Sequence, residues 1–263
     1  DNMTPEESDA FAQKIGCPFK PRDYQSIAVA HGVSQDRSVF LSPTASGKSL
    51  TIYLLARYHQ SLGRKVLIIV PTVGLVSQMN GDFTEYNNDE ELGCHVIKAG
   101  ADKYVDADYT ISTWQSIFKM KADFFDRFDV IIGDEAHTFK SKSLTSILEK
   151  AVNVKFRYGF TGTLDESKTN ELVLQGLFGP VKRVASTDNL IEDGTLADFD
   201  IKSLVFEYTP EERKEVSKMS YQEEVSWIIA RESVTLSKRQ TTISSLHPLA
   251  HSRQERISND STT

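Results

Sequence analysis

The residues best suited to chemistry lie in the stretch V-F-L-S-P-T-A-S-G-K-S-L, from Val39 to Leu50. An apolar run predicts a strand, small and polar residues predict a loop, and Gly47-Lys48-Ser49 opens a helical pattern. Backbone N–H groups of Ala45 to Lys48 would then face a concavity at a helix N-terminus, which favours phosphate. Lys48 would reach the β- and γ-phosphates of a nucleotide, and the Ser49 hydroxyl would hold Mg²⁺.

This loop departs from the phosphate-binding pattern G-x-x-x-x-G-K-[ST] at one position, because Ser42 stands where the first glycine is expected. Serine is tolerated there if the backbone angle φ does not need to be positive. A G-K-S tripeptide alone is usually a surface turn. The strand before it and the helix after it are what favour a nucleotide site here.

A pair of carboxylates forms the second candidate group. Asp134 and Glu135 follow the apolar run Val130–Ile132 in F-D-V-I-I-G-D-E-A-H. Adjacent carboxylates after a buried strand are costly unless they are paired or bind a metal. Beside a bound nucleotide, Asp134 would hold Mg²⁺ and Glu135 would orient and polarise the attacking water. The alternative, a solvated acidic turn, is weakened by the phosphate loop upstream.

Three further sets of residues can each be interpreted in two ways. Arg22 and Gln25 in R-D-Y-Q could recognise the adenine edge, because an amide both donates and accepts, or they could simply begin a solvated helix. Thr161 and Thr163, on either side of a glycine, could bond the acidic loop and transmit nucleotide state, or form an ordinary turn. Trp114 is favoured as a core anchor over a base-stacking residue.

The apolar runs predict an α/β fold with a mostly parallel central sheet and helices on both faces. Beyond the strand before the phosphate loop, the predicted strands are Lys65–Val70, Cys94–Ile97, Tyr109–Thr113, Val130–Ile132 and Lys155–Phe160. Pro71 and Thr72 directly follow the first of these. They should therefore lie at the carboxyl edge of the sheet, where open α/β sheets bind ligands.

Composition excludes several classes of protein. The chain has 263 residues, 39% hydrophobic and 25% charged, which is ordinary for a globular protein. Its net charge of −7 gives no global positive field, so any nucleic acid would need a local groove. The two cysteines match no metal or disulfide pattern and suit a reducing cytoplasm. No apolar run is long enough to span a bilayer.

The motifs, taken in order, resemble those of superfamily 2 (DEAH-type) helicases. They read R-D-Y-Q, T-A-S-G-K-S, V-P-T-V-G-L-V-S-Q, T-I-S-T-W-Q-S, G-D-E-A-H and G-F-T-G-T. The D-E-A-H form and the later L-I-E-D-G-T-L-A-D-F look closest to the UvsW-like helicases of T4-like phages. The likeness covers about residues 18 to 230 and implies a RecA-like P-loop NTPase lobe that uses ATP, Mg²⁺ and DNA, in the host cytoplasm if phage-encoded.

The resemblance also implies roles for individual residues. Gln25 with Arg22 would read adenine, and His137 would couple the ATP site to a neighbouring lobe. Thr161 and Thr163 would link hydrolysis to movement. The implied phosphate and Mg²⁺ set is Thr44, Ala45, Ser46, Gly47, Lys48 and Ser49, with Asp134 and Glu135 as the metal and water-activating pair. The implied contacts to the nucleic-acid backbone are Pro71, Thr72, Gly100 and Thr113.

Such helicases have two RecA-like lobes, and the second supplies arginines from a Q-x-x-G-R-x-x-R-type motif that this sequence does not contain. We therefore expect residues 1–185 to form the first lobe and residues 186–230 to lead toward an absent second lobe. Residues 231–263, rich in serine and threonine, would be a disordered or non-native tail.

Two other functions stay open at this point. One is a duplex-DNA translocase subunit of restriction or remodelling type, which moves on DNA without separating strands. The other is a non-catalytic nucleic-acid-binding fragment, whose DNA binding would be indifferent to ATP and to changes at Asp134 or Glu135. The preference for DNA over RNA rests on the UvsW likeness, because phosphate contacts carry no direct information about the sugar.

Overall fold

The computed structural model describes residues 2–43, 46–98, 100–138, 141–162, 168–185, 203–205, 209–220, 222–223, 226–227 and 241–243. The chain divides into two compact units, Asp1–Leu196 and Ala197–Thr263. The predicted first lobe, residues 1–185, falls within the first unit. Among the predicted site residues, Thr44, Ala45 and Thr163 lie outside the described ones.

The first unit is built on a seven-stranded sheet of order β3-β4-β2-β5-β6-β1-β7. Every neighbouring pair in it is parallel. The strands are β1 (Arg37–Leu41), β2 (Val66–Val70), β3 (His95–Ile97), β4 (Tyr109–Thr113), β5 (Val130–Gly133), β6 (Phe156–Thr161) and β7 (Val181–Arg183). The predicted α/β class and parallel sheet are confirmed, with strand ends within a residue or two of the expected positions.

Helices connect the strands and cover both faces of the sheet. The helices of this unit are α1 (Pro5–Lys14), α2 (Asp23–Ser34), α3 (Lys48–Ser61), α4 (Val73–Tyr86), α5 (Trp114–Ile117), α6 (Ala122–Phe125), a 3₁₀ turn (Ala136–Thr138), α7 (Ser141–Lys150) and α8 (Lys168–Phe178). Helix α1 begins with a capping box, in which the Thr4 side chain accepts from the Glu7 backbone N–H while the Glu7 carboxylate accepts from the Thr4 N–H. Among the described residues, no helix is both long and apolar enough to cross a membrane.

The core consists of two apolar layers, one on each face of the sheet. Along β2, Val66, Ile68 and Val70 pack into one layer, whereas Leu67 and Ile69 pack into the other. This alternation follows from the two-residue period of a strand. Strand β2 is therefore buried on both faces, in agreement with its place between β4 and β5 in the sheet.

The second unit, Ala197–Thr263, has few described residues. Ser203–Val205 (β8) pairs antiparallel with Thr241–Ile243 (β9). Pro210–Val216 forms α9, which Thr209 caps by accepting from the Glu212 backbone N–H. Most of the predicted connection, residues 186–230, and of the predicted tail, residues 231–263, lies outside the described residues, so the assignment of these segments stays a prediction.

Candidate nucleotide site

The order of the strands brings the separate polar motifs to one edge of the sheet. Strands β5, β6 and β1 are neighbours, so the acidic pair, Thr161 and the phosphate loop all follow adjacent strands at their carboxyl ends. The Ser42 N–H donates to the Thr161 carbonyl at 2.8 Å, and the Asp134 N–H donates to the Ile69 carbonyl at 2.8 Å. Residues more than ninety positions apart, such as Ser42 and Asp134, therefore belong to one site.

The described part of the phosphate loop is held by its own serines. The Ser42 and Ser46 hydroxyls lie 2.6 Å apart, and the Ser46 hydroxyl donates to the Pro43 carbonyl at 2.6 Å. Gly47, just before α3, has φ +72, whereas Ser42 is not among the residues with positive φ. The missing first glycine is thus explained, since the backbone at Ser42 does not need the left-handed conformation that favours glycine.

Gln25 is bonded to this loop rather than exposed to solvent. Its side chain is 3% exposed, and its Nε2 donates to the carbonyls of Ser46 and Gly47 at 3.1 Å each. Its Oε1 accepts from the Arg22 backbone N–H at 2.9 Å. In this structure the amide is therefore fully used within the chain, and the solvated helix start is excluded for Gln25. Adenine recognition by Gln25 and Arg22 stays a prediction.

Tyr24 is a loop contact that the sequence analysis missed. Its hydroxyl donates to the Ser46 carbonyl at 3.0 Å, and it accepts from Arg22 Nη1 at 2.9 Å. The exposed Arg22 is thereby linked to the loop through the tyrosine. The motif R-D-Y-Q by itself did not indicate this contact, because the contact depends on how α2 packs against the loop.

Lys48 and Glu135 form the centre of the site. Lys48 Nζ donates to Glu135 Oε1, and both side chains are largely shielded, at 11% and 26% exposure. Glu135 has φ +48, an uncommon backbone conformation for a residue that is not glycine. Such strain persists only where the surrounding structure imposes it and tends to occur at functional sites. Here the backbone conformation of Glu135 places its carboxylate against Lys48.

His137 connects this pair to the end of β6. Its Nδ1 lies 2.6 Å from the Thr161 hydroxyl and 3.4 Å from Glu135 Oε2. The Thr161 hydroxyl is therefore within hydrogen-bonding distance of the acidic loop, the contact considered from the sequence. His137 Nδ1 thus contacts both Glu135 and the Thr161 hydroxyl.

Asp134 is a buried carboxylate whose charge is poorly compensated. It is 8% exposed, and its Oδ1 accepts from the Glu135 backbone N–H at 2.9 Å. Burial raises the pKa of Asp134 to about 6, with Glu135 and Asp82 adding to the rise and Lys48 opposing it. A cation bound here would relieve that penalty. Carboxylate and hydroxyl oxygens are ligands that suit Mg²⁺, so Asp134 and Ser49 fit the predicted metal.

The predicted Mg²⁺ would take few of its ligands from the protein. Among the described residues, no group of three or more histidine, cysteine or acidic side chains is arranged to hold a metal ion. Mg²⁺ usually keeps several waters and binds through one or two carboxylates together with substrate phosphates. The arrangement at Asp134 and Ser49 therefore suits a metal that arrives with a nucleotide better than a resident ion.

The residues predicted to contact nucleic acid follow β2, β3 and β4, which are also neighbours at this edge. Thr72 is exposed and caps α4, accepting from the Leu75 N–H at 3.3 Å. Gly100 is exposed and has φ +81. The partly buried Pro71 accepts from Gln115 Nε2 through its carbonyl, at 3.1 Å. These three positions leave backbone or side-chain groups accessible on one continuous edge.

Thr113 and Trp114 face the interior instead. Thr113 is 3% exposed, and its hydroxyl accepts from the Ser116 N–H at 3.3 Å to cap α5. Its side chain is buried in this structure, and its contact to nucleic acid stays a prediction. Trp114 packs against the core and lies edge-on to Phe118 at 5.9 Å, as the core-anchor interpretation expects.

The fold and the site together define a P-loop nucleotide-binding lobe of the RecA-like type. The chain belongs to the family described as type III restriction enzyme, res subunit, whose model matches residues 18–166, more than half of its length.

Two individual proteins are also similar to this chain. The chain is 35% identical over 233 residues to the ATP-dependent DNA helicase uvsW of enterobacteria phage T4, covering 87% of this chain and 45% of that protein. It is 27% identical over 193 residues to the DNA 3'-5' translocase XPB2 of Sulfurisphaera tokodaii, covering 73% and 42%. The chain thus spans less than half the length of these two relatives.

A solved structure extends the likeness to three dimensions. The crystal structure of the UvsW helicase from bacteriophage T4 matches with a TM-score of 0.63 and 33% identity, covering 70% of this chain and 68% of that one. The resemblance to superfamily 2 helicases inferred from the motifs, including the likeness to UvsW, is therefore confirmed.

Proposed function

We propose that this chain is the ATP-binding motor lobe of a DNA helicase or translocase that remodels or unwinds branched or duplex DNA. The convergence of Lys48, Asp134 and Glu135 at one sheet edge carries the proposal, because each side chain has a defined task on a nucleotide. The DNA substrate is supported by the printed names of the two relatives, which are a DNA helicase and a DNA translocase.

In the free protein, Glu135 is paired with the Lys48 amine, the group proposed to bind the phosphates of a nucleotide. A bound triphosphate would draw Lys48 Nζ to its β- and γ-phosphates, since those oxygens carry more negative charge than one carboxylate. Glu135, released from the lysine, would then be free to orient the attacking water. Mg²⁺ bound beside Asp134 and Ser49 would neutralise charge on the phosphates.

His137 and Thr161 would transmit this change in the contacts of Glu135 to the rest of the protein. When Glu135 turns toward water, its contact with His137 Nδ1 changes, and His137 is tied to the Thr161 hydroxyl at the end of β6. These contacts support the role proposed for Thr161, which is to link hydrolysis to movement. Thr163 has the corresponding role only by analogy with the motif.

The chain by itself is expected to bind ATP and to hydrolyse it near the background rate. An arginine finger, supplied in these helicases by the second lobe, contributes roughly 10³–10⁵ in rate in P-loop enzymes. ATPase and unwinding activity are therefore proposed for the lobe working with its partner lobe. Measurable unwinding by this chain, in a preparation free of other helicases, would contradict the expectation.

The phosphate site is tested by Lys48→Ala, with the binding of a fluorescent ATP analogue as the readout. Loss of a charge-assisted hydrogen bond should weaken binding by about 10- to 100-fold. Lys155→Ala is the matched control, because Lys155 is 64% exposed and pairs with Asp36 away from the site. Equal affinity of Lys48→Ala and the wild type for the nucleotide would refute the assignment.

Movement along duplex DNA without strand separation is the second candidate, favoured by the family's restriction-enzyme description and by the relative named a translocase. Assays on the longer protein that carries this lobe would separate the two activities. A helicase displaces one strand of a forked duplex, whereas a duplex translocase displaces the third strand of a triplex and leaves the duplex paired.

A further inference from the structure

Ser49, the expected metal ligand, is bonded to a residue of α4 that the motifs do not include. Its hydroxyl lies 2.8 Å from the hydroxyl of Tyr86. Ser49 is in the first turn of α3, and Tyr86 is the last residue of α4. The two helices therefore meet through the side chain on which metal binding is expected to depend.

Asp82 is a second oxygen-bearing residue of α4 near this contact. It precedes Tyr86 by four residues in α4, so the two side chains lie on one helix face. Burial raises the pKa of Asp82, and a hydrogen bond from Ser49 opposes that rise. Its charge also contributes to the raised pKa of Asp134.

Packing on two sides fixes the position of the Tyr86 hydroxyl. The Phe19 ring lies edge-on to Tyr86 at 5.4 Å, and the Tyr53 ring does so at 5.5 Å. An aromatic ring held between two others has little freedom to turn its hydroxyl away. The contact with Ser49 is therefore part of the packed structure.

A serine hydroxyl has one proton and two lone pairs, and only a lone pair can bind a metal. If the proton points toward Tyr86, both lone pairs stay free for a cation. We propose that Tyr86, assisted by Asp82, is a positioning residue that accepts a hydrogen bond from the Ser49 hydroxyl and thereby leaves the serine lone pairs available to Mg²⁺. This inference rests on the proposed function, because it concerns the metal that accompanies the nucleotide.

The test measures binding of a fluorescent ATP analogue to the full 263-residue chain across a Mg²⁺ titration and again in EDTA. Tyr86→Phe should raise the Mg²⁺ concentration for half-maximal binding by about two- to tenfold, the value of one hydrogen bond. Adding Asp82→Ala should raise it by about 10- to 100-fold, as expected for loss of the outer partners of a metal ligand. Binding in EDTA should not weaken in either variant.

Tyr53→Phe with Glu85→Ala is the matched control, since it also removes one phenol hydroxyl and one carboxylate from α3 and α4. The Tyr53 hydroxyl makes only a 3.5 Å contact with Asn87, and Glu85 is exposed. An unchanged Mg²⁺ requirement in the Tyr86 variants, or an equal rise in the control, would overturn the proposal. An equal loss in EDTA would also overturn it, because it would indicate a merely structural role.

The experiment still gives a decision if the double variant does not fold, and it separates failure of this proposal from failure of the proposed function. If the double variant fails to fold, Tyr86→Phe alone decides, because it removes a single oxygen atom. If the wild-type chain binds no nucleotide at all, the proposed function fails as well. If the wild type binds with a clear Mg²⁺ dependence and the variants match it, only the role of Tyr86 fails.

Discussion

Replacing Asp134 by asparagine should make the free protein more stable while removing its response to Mg²⁺ and ATP. The carboxylate is 8% exposed, and burial raises its pKa from 3.8 to about 6. Above pH 6 it is ionised in both the folded and the unfolded chain, and its charge destabilises the fold. Asparagine has the same shape and can still accept the hydrogen bond that Asp134 takes from the Glu135 N–H.

The size of the effect follows from the pKa. A shift of about two units corresponds to about 3 kcal/mol, so a gain of about 1–3 kcal/mol in the free energy of unfolding is expected at pH 8. For a domain of this size the melting temperature should rise by about 3–10 °C. Because the folded pKa is the higher one, the penalty is absent below about pH 4 and develops as the pH rises through 6. The gain from asparagine should therefore shrink in acid.

Thermal melting at pH 5 and pH 8, with and without Mg²⁺ and ATP, checks both halves of the prediction. Ligand should raise the melting temperature of the wild type far more than that of Asp134→Asn, because binding stabilises only a competent site. Glu91→Gln, which removes one exposed charge, is the control. A lower melting temperature for Asp134→Asn at pH 8 would refute the argument that this buried charge is uncompensated.

Two further predictions concern the same unit. Burial lowers the pKa of His59 to about 3, below the unfolded value of 6.5, so its contribution to stability is lost as the pH falls from 6.5. The test is denaturation of Asp134→Asn, because this variant lacks the opposing pH dependence of Asp134. Its free energy of unfolding should fall by about 2 kcal/mol between pH 7.5 and pH 5, and a flat profile would contradict this. Gly47→Ala should destabilise the fold by about 1–3 kcal/mol and abolish binding of the ATP analogue, because φ is +72 and the new Cβ would clash with Gln25 Nε2. Gly81→Ala, at an exposed position of α4 where the new Cβ would have nothing within 4 Å, should instead be neutral or stabilising, and equal losses in the two variants would refute the reasoning.

Much of the fold was predictable because its signals are local. Continuous apolar runs such as Val66–Val70 identify buried parallel strands, and the helix start at Thr4 follows from its capping residues. The tasks expected of Lys48 and Asp134 follow equally from residue type and from position after a strand. None of this required knowing which strands are neighbours.

The roles of two helical residues could not be predicted in the same way. The sequence suggested either a ligand contact or solvent exposure for Gln25, whereas packing of α2 against the phosphate loop turned its amide onto the Ser46 and Gly47 carbonyls. Tyr86 gave no signal, because its contact with Ser49 depends on how α3 and α4 pack against each other. Side chains joined across elements are set by tertiary packing, which residue spacing does not encode.

The sequence by itself determined the class of fold, the family and the identity of the residues able to handle a nucleotide. The tertiary structure decided that β5 and β6 lie between β2 and β1, which joins the acidic pair to the phosphate loop. It also decided that Asp134 is buried with a raised pKa and that Ser49 is bonded to α4. The physical reason is that hydrophobic period and capping act within a few residues, whereas burial and charge interactions depend on every segment packed nearby.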